Sequence, residues 1–257
     1  MRRLTATATL LLTLGALTAS PVSPATAVPL PWVPTPGQTW QYQLQGSINT
    51  SVNADVFDID GEDTPASVVS NLHAQGKVAI CYFSAGSWED WRSDAAAFPA
   101  AVKGRTNGWP GERWLDIRQR SVLRPIMDAR LSRCAAKGFD GAEPDNVDGY
   151  TNRTGFELTG AHQAAYNRMI ANLAHSHGLK VGLKNDVDQA ALLEPSFDFA
   201  VNEQCTQYSE CGTLGAFTRA GKPVFHVEYR SADCRPVAGH SVILKTLDLT
   251  ATPRAVC

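Results

Sequence analysis

The sequence lacks the short motifs that mark several large enzyme classes. It contains no G-x-S-x-G turn, no H-E-x-x-H helix, no P-loop and no G-x-G-x-x-G turn. These absences leave a serine hydrolase, a zinc protease and a nucleotide- or dinucleotide-binding enzyme without support. There is also no C-x-x-C pair and no Cys/His cluster with the spacing of a zinc site, so we expect neither a metal nor another cofactor.

Long apolar runs and blocks of like charge are absent as well. No stretch approaches the roughly 20 apolar residues that a membrane helix needs, so we expect no membrane partner. The 23 basic side chains are outnumbered by 25 acidic ones and are not clustered, which argues against binding to nucleic acid. A mildly acidic protein whose carboxylates converge on one cleft would instead attract a cationic substrate.

The N-terminal residues have the pattern of a secretory signal peptide. Arg2 and Arg3 precede an apolar stretch from Leu10 to Leu17 and a small-residue exit at residues 25–27. We therefore expect a signal peptide over residues 1–27 and a secreted, extracellular protein. Residues 28–38, which include four prolines, are predicted to form an extended tether or a clasp. Residues 39–257 are predicted to form one domain.

The six cysteines favour a disulfide framework, because an even number in an exported protein is typical of one. Nearness in sequence favours Cys205 with Cys211 and Cys234 with Cys257. Cys81 with Cys134 is then left by elimination.

Eight short runs rich in Val, Ile, Phe and Tyr predict β-strands, with helical stretches between several of them. This alternation predicts an α/β fold of the (β/α)8 TIM-barrel type, because eight parallel strands close a barrel. The predicted helices are 66–75, 118–137 and 160–177. The predicted strands are 40–44, 56–59, 78–83, 139–142, 180–183, 197–201, 224–227 and 242–247.

Acidic side chains recur where these strands end, and the carboxyl ends of barrel strands are where enzymes of this architecture place their chemistry. Asp60 is predicted equally well to contact a ligand or to cap the next helix. Pro144 is expected to end the paired ladder and to aim Asp145 into the cleft. The candidate substrate-binding residues are Asp58, Asp60, Tyr82, Glu143, Asp148, Lys184, Asn185, Asp186 and Glu228.

Asp145 and Glu203 stand out as a pair, one after the fourth predicted strand and one after the sixth. Two facing carboxylates are what a glycosidase uses to cleave a glycosidic bond. Lys184 is expected to form an ion pair with a catalytic carboxylate and keep it ionised, or to form a purely structural pair.

The chain resembles glycoside hydrolase family 114, the endo-α-1,4-polygalactosaminidase family, from about Trp40 to Tyr229. The resemblance rests on five segments: Phe57-Asp-Ile-Asp60, Cys81-Tyr-Phe-Ser-Ala-Gly-Ser87, Gly138-Phe-Asp-Gly with Asp145-Asn-Val-Asp148, Gly182-Leu-Lys-Asn-Asp186 and Asn202-Glu-Gln-Cys205. It implies a retaining barrel glycosidase in which Asp145 is the nucleophile, with Glu143 as its main rival, and Glu203 is the acid/base.

The same resemblance implies an enzyme whose partner is a cationic polysaccharide containing α-1,4-linked galactosamine or N-acetylgalactosamine, which it cuts at internal bonds. We also expect the enzyme to be a monomer. Two alternatives stay open. One is an exo-acting enzyme similar to an α-galactosidase, and the other is a carbohydrate-binding barrel without catalysis.

Overall fold

The computed structural model describes residues 32–257, so the predicted signal peptide and residues 28–31 lie outside the described part. The strands are β1 (Trp40–Gln43), β2 (Val56–Asp60), β3 (Val78–Ser84), β4 (Ser87–Glu89), β5 (Glu112–Trp114), β6 (Gly141–Asp145), β7 (Lys180–Lys184), β8 (Phe199–Glu203), β9 (Val224–Glu228), β10 (His240–Leu244) and β11 (Ala255–Val256). Strands β4 and β5 form a separate antiparallel hairpin. The other nine form one curled sheet.

Eight strands of this sheet are parallel and follow one another in chain order, which confirms the predicted barrel architecture. The α-helices are α1 (Ala66–Ala74), α2 (Arg120–Ala136), α3 (Gly160–Ser176), α4 (Ala190–Leu193), α5 (Cys205–Tyr208) and α6 (Gly215–Arg219). They follow β2, β5, β6, β7 and β8, whereas the β1–β2 and β9–β10 connections are irregular. No helix among residues 32–257 is long and apolar enough to cross a membrane.

The C-terminal segment joins the two ends of the sheet. Strand β11 pairs antiparallel with β10. The guanidinium of Arg254 donates to the backbone oxygen of Trp40 in β1, and the indole of Trp40 donates to the backbone oxygen of Ser241. The backbone of Leu249 accepts from the amide of Leu44. The last ten residues therefore complete the barrel wall between β10 and β1.

Alternation along the strands separates two apolar regions. One fills the space between the sheet and the helices. The other lies inside the barrel near the amino ends of the strands, where Trp40, Phe199 and Phe225 pack with ring centroids 5.4 to 5.8 Å apart. Gly182 makes room here, because a Cβ at this position would lie 2.3 Å from the Phe199 ring. This apolar floor leaves the inward positions at the carboxyl ends for polar side chains.

The prediction that Pro144 ends the paired ladder was wrong. Strand β6 continues through Pro144 to Asp145 and pairs with β3 over its whole length. The β6–β7 ladder, however, stops at Ala142, so Pro144 occupies a stretch that is paired on one side only. Helix α1 has Pro65 at its N-cap, without a side-chain cap. The three predicted disulfides, Cys81–Cys134, Cys205–Cys211 and Cys234–Cys257, are confirmed.

Candidate active site

An open cavity of about 530 Å³ lies at the carboxyl ends of the parallel strands. The structure brings seven of the predicted site residues to its wall. They are Asp60, Tyr82, Asp145, Asp148, Lys184, Asn185 and Glu203. The remaining four, Asp58, Glu143, Asp186 and Glu228, are buried outside the cavity lining.

The ammonium group of Lys184, at the end of β7, is the centre of the site. It lies 2.6 Å from Glu143 Oε1 and 3.3 Å from both Asp145 Oδ1 and Glu203 Oε2. It also donates to the Tyr42 hydroxyl at 2.9 Å. Burial alone would lower the pKa of Lys184, but the surrounding carboxylates outweigh it and raise that pKa well above its usual value. The lysine is therefore a permanent cation that holds three carboxylates from two strands, β6 and β8.

Asp145 is held by donors on both carboxylate oxygens. Oδ1 accepts from the backbone amide of Asn146 at 2.7 Å, and Oδ2 accepts from the Tyr82 hydroxyl at 2.9 Å and from Asn146 Nδ2 at 3.2 Å. The side chain is still 18 % exposed to the cavity, whereas Glu143 is completely covered. Asp145 is thus a fixed carboxylate that a ligand can reach.

Glu203, at the end of β8, faces the cavity with fewer partners. Its Oε1 accepts a short hydrogen bond from the Tyr229 hydroxyl, and its backbone amide donates to Asn185 Oδ1 at 2.9 Å. Burial, followed by the charge of Glu203, raises the pKa of Tyr229 well above its usual value, so the phenol remains a donor. At 24 % exposure, Glu203 is the more accessible of the two candidate catalytic carboxylates.

Below these residues lies a buried pair of acids, Asp58 and Glu143. Glu143 Oε1 accepts from Lys184 and from Tyr42, whereas Glu143 Oε2 and both Asp58 oxygens have no hydrogen-bond partner among residues 32–257. Burial, followed by the charge of Glu143, raises the pKa of Asp58 well above its usual value. This shift favours the neutral form of Asp58 and so limits the negative charge buried beneath Lys184.

A second acidic pair lies beside the cavity. Burial and the neighbouring Asp148 raise the pKa of Asp186 to about 8, and burial and Asp145 raise that of Asp148 to about 6. Asp186 Oδ2 accepts from Asn167 Nδ2 of α3 at 2.8 Å, and Oδ1 is buried without a donor. Asp186 therefore faces α3 and is largely neutral at pH 7, so it adds little charge to the cavity.

Glu228 lies on the outer face of the barrel. Phe225 and Val227 of β9 point inward, so the alternation of the strand turns His226 and Glu228 outward. Glu228 Oε1 accepts from the backbone amide of Thr206 at 2.8 Å and contacts His226 Nε2 at 2.7 Å. Its role is to hold the start of α5 rather than to reach a ligand.

The same region contains a Cys/His group that was not apparent in the sequence. Candidate ligand atoms of Cys205, Cys211 and His226 lie within 4.8 Å of one another. Both sulfur atoms belong to the Cys205–Cys211 disulfide, however, and a disulfide sulfur is not the thiolate that zinc requires. The group is therefore structural in the oxidised protein.

Asp60 lies on the cavity wall and holds the turn before α1 without capping that helix, and its contact with a ligand stays a prediction. Its Oδ1 accepts from the backbone amides of Glu62 and Asp63, which fixes the turn before α1. Its carboxylate also forms a bidentate ion pair with Arg92, at 2.8 and 3.1 Å, and Arg92 in turn pairs with Glu89. The charge of Asp60 is thus largely compensated within the protein.

Backbone strain is concentrated at the carboxyl ends of three neighbouring strands. Asn146 follows β6 with φ of 60°, Asn185 and Asp186 follow β7 with φ of 49° and 44°, and Gln204 follows β8 with φ of 68°. Non-glycine residues rarely adopt this left-handed conformation, and such strain often occurs at functional sites. The left-handed residues turn the chain out of the strand direction directly after Asp145, Lys184 and Glu203.

Tyr42, Tyr229 and two tryptophans of the β4–β5 loop are the site residues that sequence reasoning missed. Tyr42 is on the inward side of the predicted first strand, and Tyr229 follows the inward Val227 by two residues. Strand alternation was therefore the available signal for both. Trp91 and Trp109 line the cavity from a loop that has no periodic pattern.

Comparison with known proteins agrees with this geometry. The model of glycoside-hydrolase family GH114 matches residues 22–256. A protein of Deinococcus radiodurans is 30% identical over 228 residues, which covers 75% of this chain and 72% of the relative.

Two solved structures are also similar. Ega3 of Aspergillus fumigatus, in complex with galactosamine, is 37% identical with a TM-score of 0.84, covering 90% of this chain and 99% of Ega3. The glycoside hydrolase domain of PelA from Pseudomonas aeruginosa shares the fold at 16% identity and a TM-score of 0.63, covering 83% and 96% of the two chains.

The family match spans nearly the whole chain, and the five sequence segments that suggested it supply most of the residues around Lys184. The resemblance inferred from these segments is therefore confirmed. The chain belongs to glycoside hydrolase family GH114 and is a glycoside hydrolase.

Proposed function

We propose that this protein is a secreted enzyme that cleaves α-1,4-linked galactosamine-containing polysaccharide at internal bonds, with Asp145 and Glu203 as its catalytic pair. The observation that carries the proposal is the placement of these two carboxylates, from different strands, beside the same Lys184 ammonium in one open cavity. The substrate class is supported by Ega3, a similar protein whose structure contains galactosamine.

Asp145 suits the role of nucleophile. Its oxygens are held by Tyr82, Asn146 and Lys184, so little reorganisation is needed when it attacks the anomeric carbon. Glu143, the rival candidate, is completely buried beneath Lys184 and cannot reach a sugar in this arrangement. Glu143 instead positions the lysine.

Glu203 suits the role of acid/base, because it is accessible and its other oxygen is oriented by Tyr229. In the first step its proton passes to the leaving glycosidic oxygen while the carbon–oxygen bond breaks and Asp145 bonds to the anomeric carbon. In the second step Glu203 takes a proton from water, which displaces Asp145.

The shared contact with Lys184 keeps the two carboxylates close together, as a retaining reaction requires. Both nearest oxygens lie 3.3 Å from the same nitrogen, so they can be no farther apart than twice that distance. Retaining enzymes place their carboxyl groups about 5 to 5.5 Å apart, whereas inverting enzymes leave about 6.5 to 9.5 Å for a water molecule.

The experiment is digestion of purified, partly deacetylated galactosamine polymer, followed by analysis of product sizes and of the first anomer released. An internal-cutting retaining enzyme gives a ladder of oligosaccharides with the original anomeric configuration. Release of monosaccharide alone would support the exo-acting alternative, and binding without new reducing ends would support a non-catalytic barrel. An inverted first product would remove the nucleophilic role of Asp145.

A further inference from the structure

Large apolar side chains are seldom exposed in the described part of the chain, and three of those that are exposed line the cavity. Trp91 is 52 % exposed, Trp109 56 % and Leu247 59 %. The two tryptophans both lie in the loop that joins β4 to β5, beside the carboxylate cluster but without a hydrogen bond to it. Exposed aromatic surface that faces a cavity indicates a ligand contact.

Two neighbouring tryptophans, Trp88 and Trp114, have a purely structural packing role and serve as a comparison. The indole of Trp88 donates to the backbone oxygen of Ala95, and its ring packs against the core. Trp114 is 8 % exposed and rests on Gly149, where a Cβ would lie 3.4 Å from the ring. Trp91 and Trp109 have no such cover, so packing alone does not account for them.

Trp91 is held in position by the glycine opposite it. Gly111 has φ of +82°, and a Cβ there would lie 2.8 Å from the Trp91 ring and 2.7 Å from Asp90 Oδ1. The amide of Asp90 donates to the Gly111 backbone oxygen at 3.1 Å. The two ends of the loop are thus joined directly beneath the indole, which restricts its movement.

Trp109 is held by a hydrogen-bonded turn. Its backbone amide donates to Asn107 Oδ1 at 3.1 Å, and its backbone oxygen accepts from the amide of Glu112 at 3.2 Å. Asn107 Nδ2 donates to Glu112 Oε2 at 2.6 Å. The turn therefore depends on the Glu112 carboxylate.

The same carboxylate connects the turn to the catalytic strand end. Glu112 Oε2 accepts from Ser87 Oγ at 2.8 Å, and Ser87 Oγ contacts Ser84 Oγ at 2.7 Å. Ser84 Oγ accepts from Asn146 Nδ2 at 2.9 Å, and that amide also donates to Asp145. A continuous series of hydrogen bonds thus fixes the tryptophan loop relative to the proposed nucleophile, so a sugar bound there is bound at a defined distance from it.

We propose that Trp91 and Trp109 form a sugar-binding platform for units of the polymer that lie away from the cleaved bond, and that this platform sets the preference for long chains. The inference rests on the proposed function and names a specificity site for it. Indole faces pack against the apolar faces of sugar rings, and they attract an ammonium group within about 6 Å of the ring. Amino sugars with free amines would benefit from both interactions.

The test compares kcat/KM for galactosamine oligosaccharides from trimer to octamer in the whole protein. Trp91→Ala and Trp109→Ala should each lower kcat/KM for the octamer about tenfold and change that of the trimer less than about twofold. A tenfold change corresponds to roughly 1.4 kcal/mol, which lies between the values of an exposed and a desolvated cation–π contact. Trp91→Phe and Trp109→Phe should recover most of the loss. Leu192→Ala, which truncates a 55 % exposed apolar side chain outside the cavity, is the matched control.

An unchanged ratio between octamer and trimer in both alanine variants overturns the platform and leaves the proposed function intact. An equal loss on all chain lengths also overturns it, because it would show a general structural role. If the unmodified protein neither binds nor cleaves any of these oligosaccharides, the proposed function fails and the platform fails with it.

Discussion

Replacement of Lys184 by methionine tests the electrostatic centre of the site. The side chain keeps its approximate length but loses an ammonium that is 1 % exposed and lies within 3.3 Å of three carboxylates from β6 and β8. Removal of one partner from a buried ion pair costs about 3 to 5 kcal/mol, because the remaining charge is left uncompensated. In a domain of this size the loss corresponds to a decrease in Tm of roughly 6 to 20 °C.

The loss should depend on pH. In the unmodified protein the raised pKa of Lys184 means that its contribution is fully present below its unfolded value near 10. In the variant, Glu143 loses the ammonium that opposes the effect of burial, so its folded pKa rises further. A carboxyl group with a raised folded pKa stabilises the fold below about pH 4 and loses that contribution as the pH rises through its folded value. The variant should therefore be closest to the unmodified protein near pH 4 and furthest from it near pH 8.

The assay is urea denaturation of both proteins at several pH values, together with kcat on the polymer, which should fall about a hundredfold because Asp145 and Glu203 lose their common anchor. Lys245→Met is the matched control, since this buried lysine donates to the backbone oxygens of Thr250 and Ala251 rather than to carboxylates. A Lys184→Met protein with normal stability at pH 8 and normal kcat would refute the reasoning.

Three further perturbations have defined outcomes. Loss of the Cys205–Cys211 disulfide, whose cysteines are 6 residues apart, should cost about 2 kcal/mol of stability but strongly reduce kcat. Loss of the Cys81–Cys134 disulfide, whose cysteines are 53 residues apart, should cost about 4 kcal/mol with less effect on kcat. The reverse order in kcat would contradict a role for the Cys205–Cys211 loop in placing Glu203. Asp186→Asn should flatten the stability profile between about pH 4 and 8, because a carboxyl group with an unfolded pKa near 4 and a folded pKa of about 8 loses its stabilising contribution over that range. An unchanged profile in denaturation experiments counts against a neutral Asp186. KM for deacetylated polymer should rise with salt more than KM for acetylated polymer, because salt screens electrostatic attraction beyond about 8 Å at physiological ionic strength. Asp63→Asn should reduce this difference, since Asp63 is an exposed acid on the cavity wall. Kinetics independent of salt on both polymers would exclude electrostatic attraction.

The ends of the predicted strands were the part of the site that the sequence could reveal. They placed Asp60, Asp145, Lys184 and Glu203 at one edge, because the carboxyl ends of parallel barrel strands meet there. Alternation along β9, applied from the buried Val227, would have selected Tyr229 in place of Glu228. The error was one of register, and a shift by one residue moves a side chain to the other face.

Depth within the barrel could not be predicted from one strand alone. Asp58 and Glu143 are on the inward face, as the spacing indicated, but they lie one pleat below Asp60 and Asp145 and are sealed from the cavity. Their depth depends on the stagger between neighbouring strands, which is set by pairings such as Tyr82 with Glu143.

The β4–β5 hairpin was missed for a related reason. Each of its strands has only three residues, and the connection between them carries no periodic apolar pattern. Its position depends on contacts with distant residues, among them the hydrogen bond from the amide of Arg105, in the connection between the strands, to the backbone oxygen of Thr154. Such contacts have no local signature in the sequence.

The most direct test of the account is the rate at which Asp145→Asn and Glu203→Gln release reducing ends from galactosamine polymer. Both substitutions keep the size of the side chain and remove the charge or the proton that the reaction needs, so each should lower kcat by about a hundredfold or more while the protein remains folded. Near-normal release by either variant would contradict the assignment of that residue. Loss of activity in Glu143→Gln alone, with Asp145→Asn active, would assign the nucleophilic role to Glu143 instead.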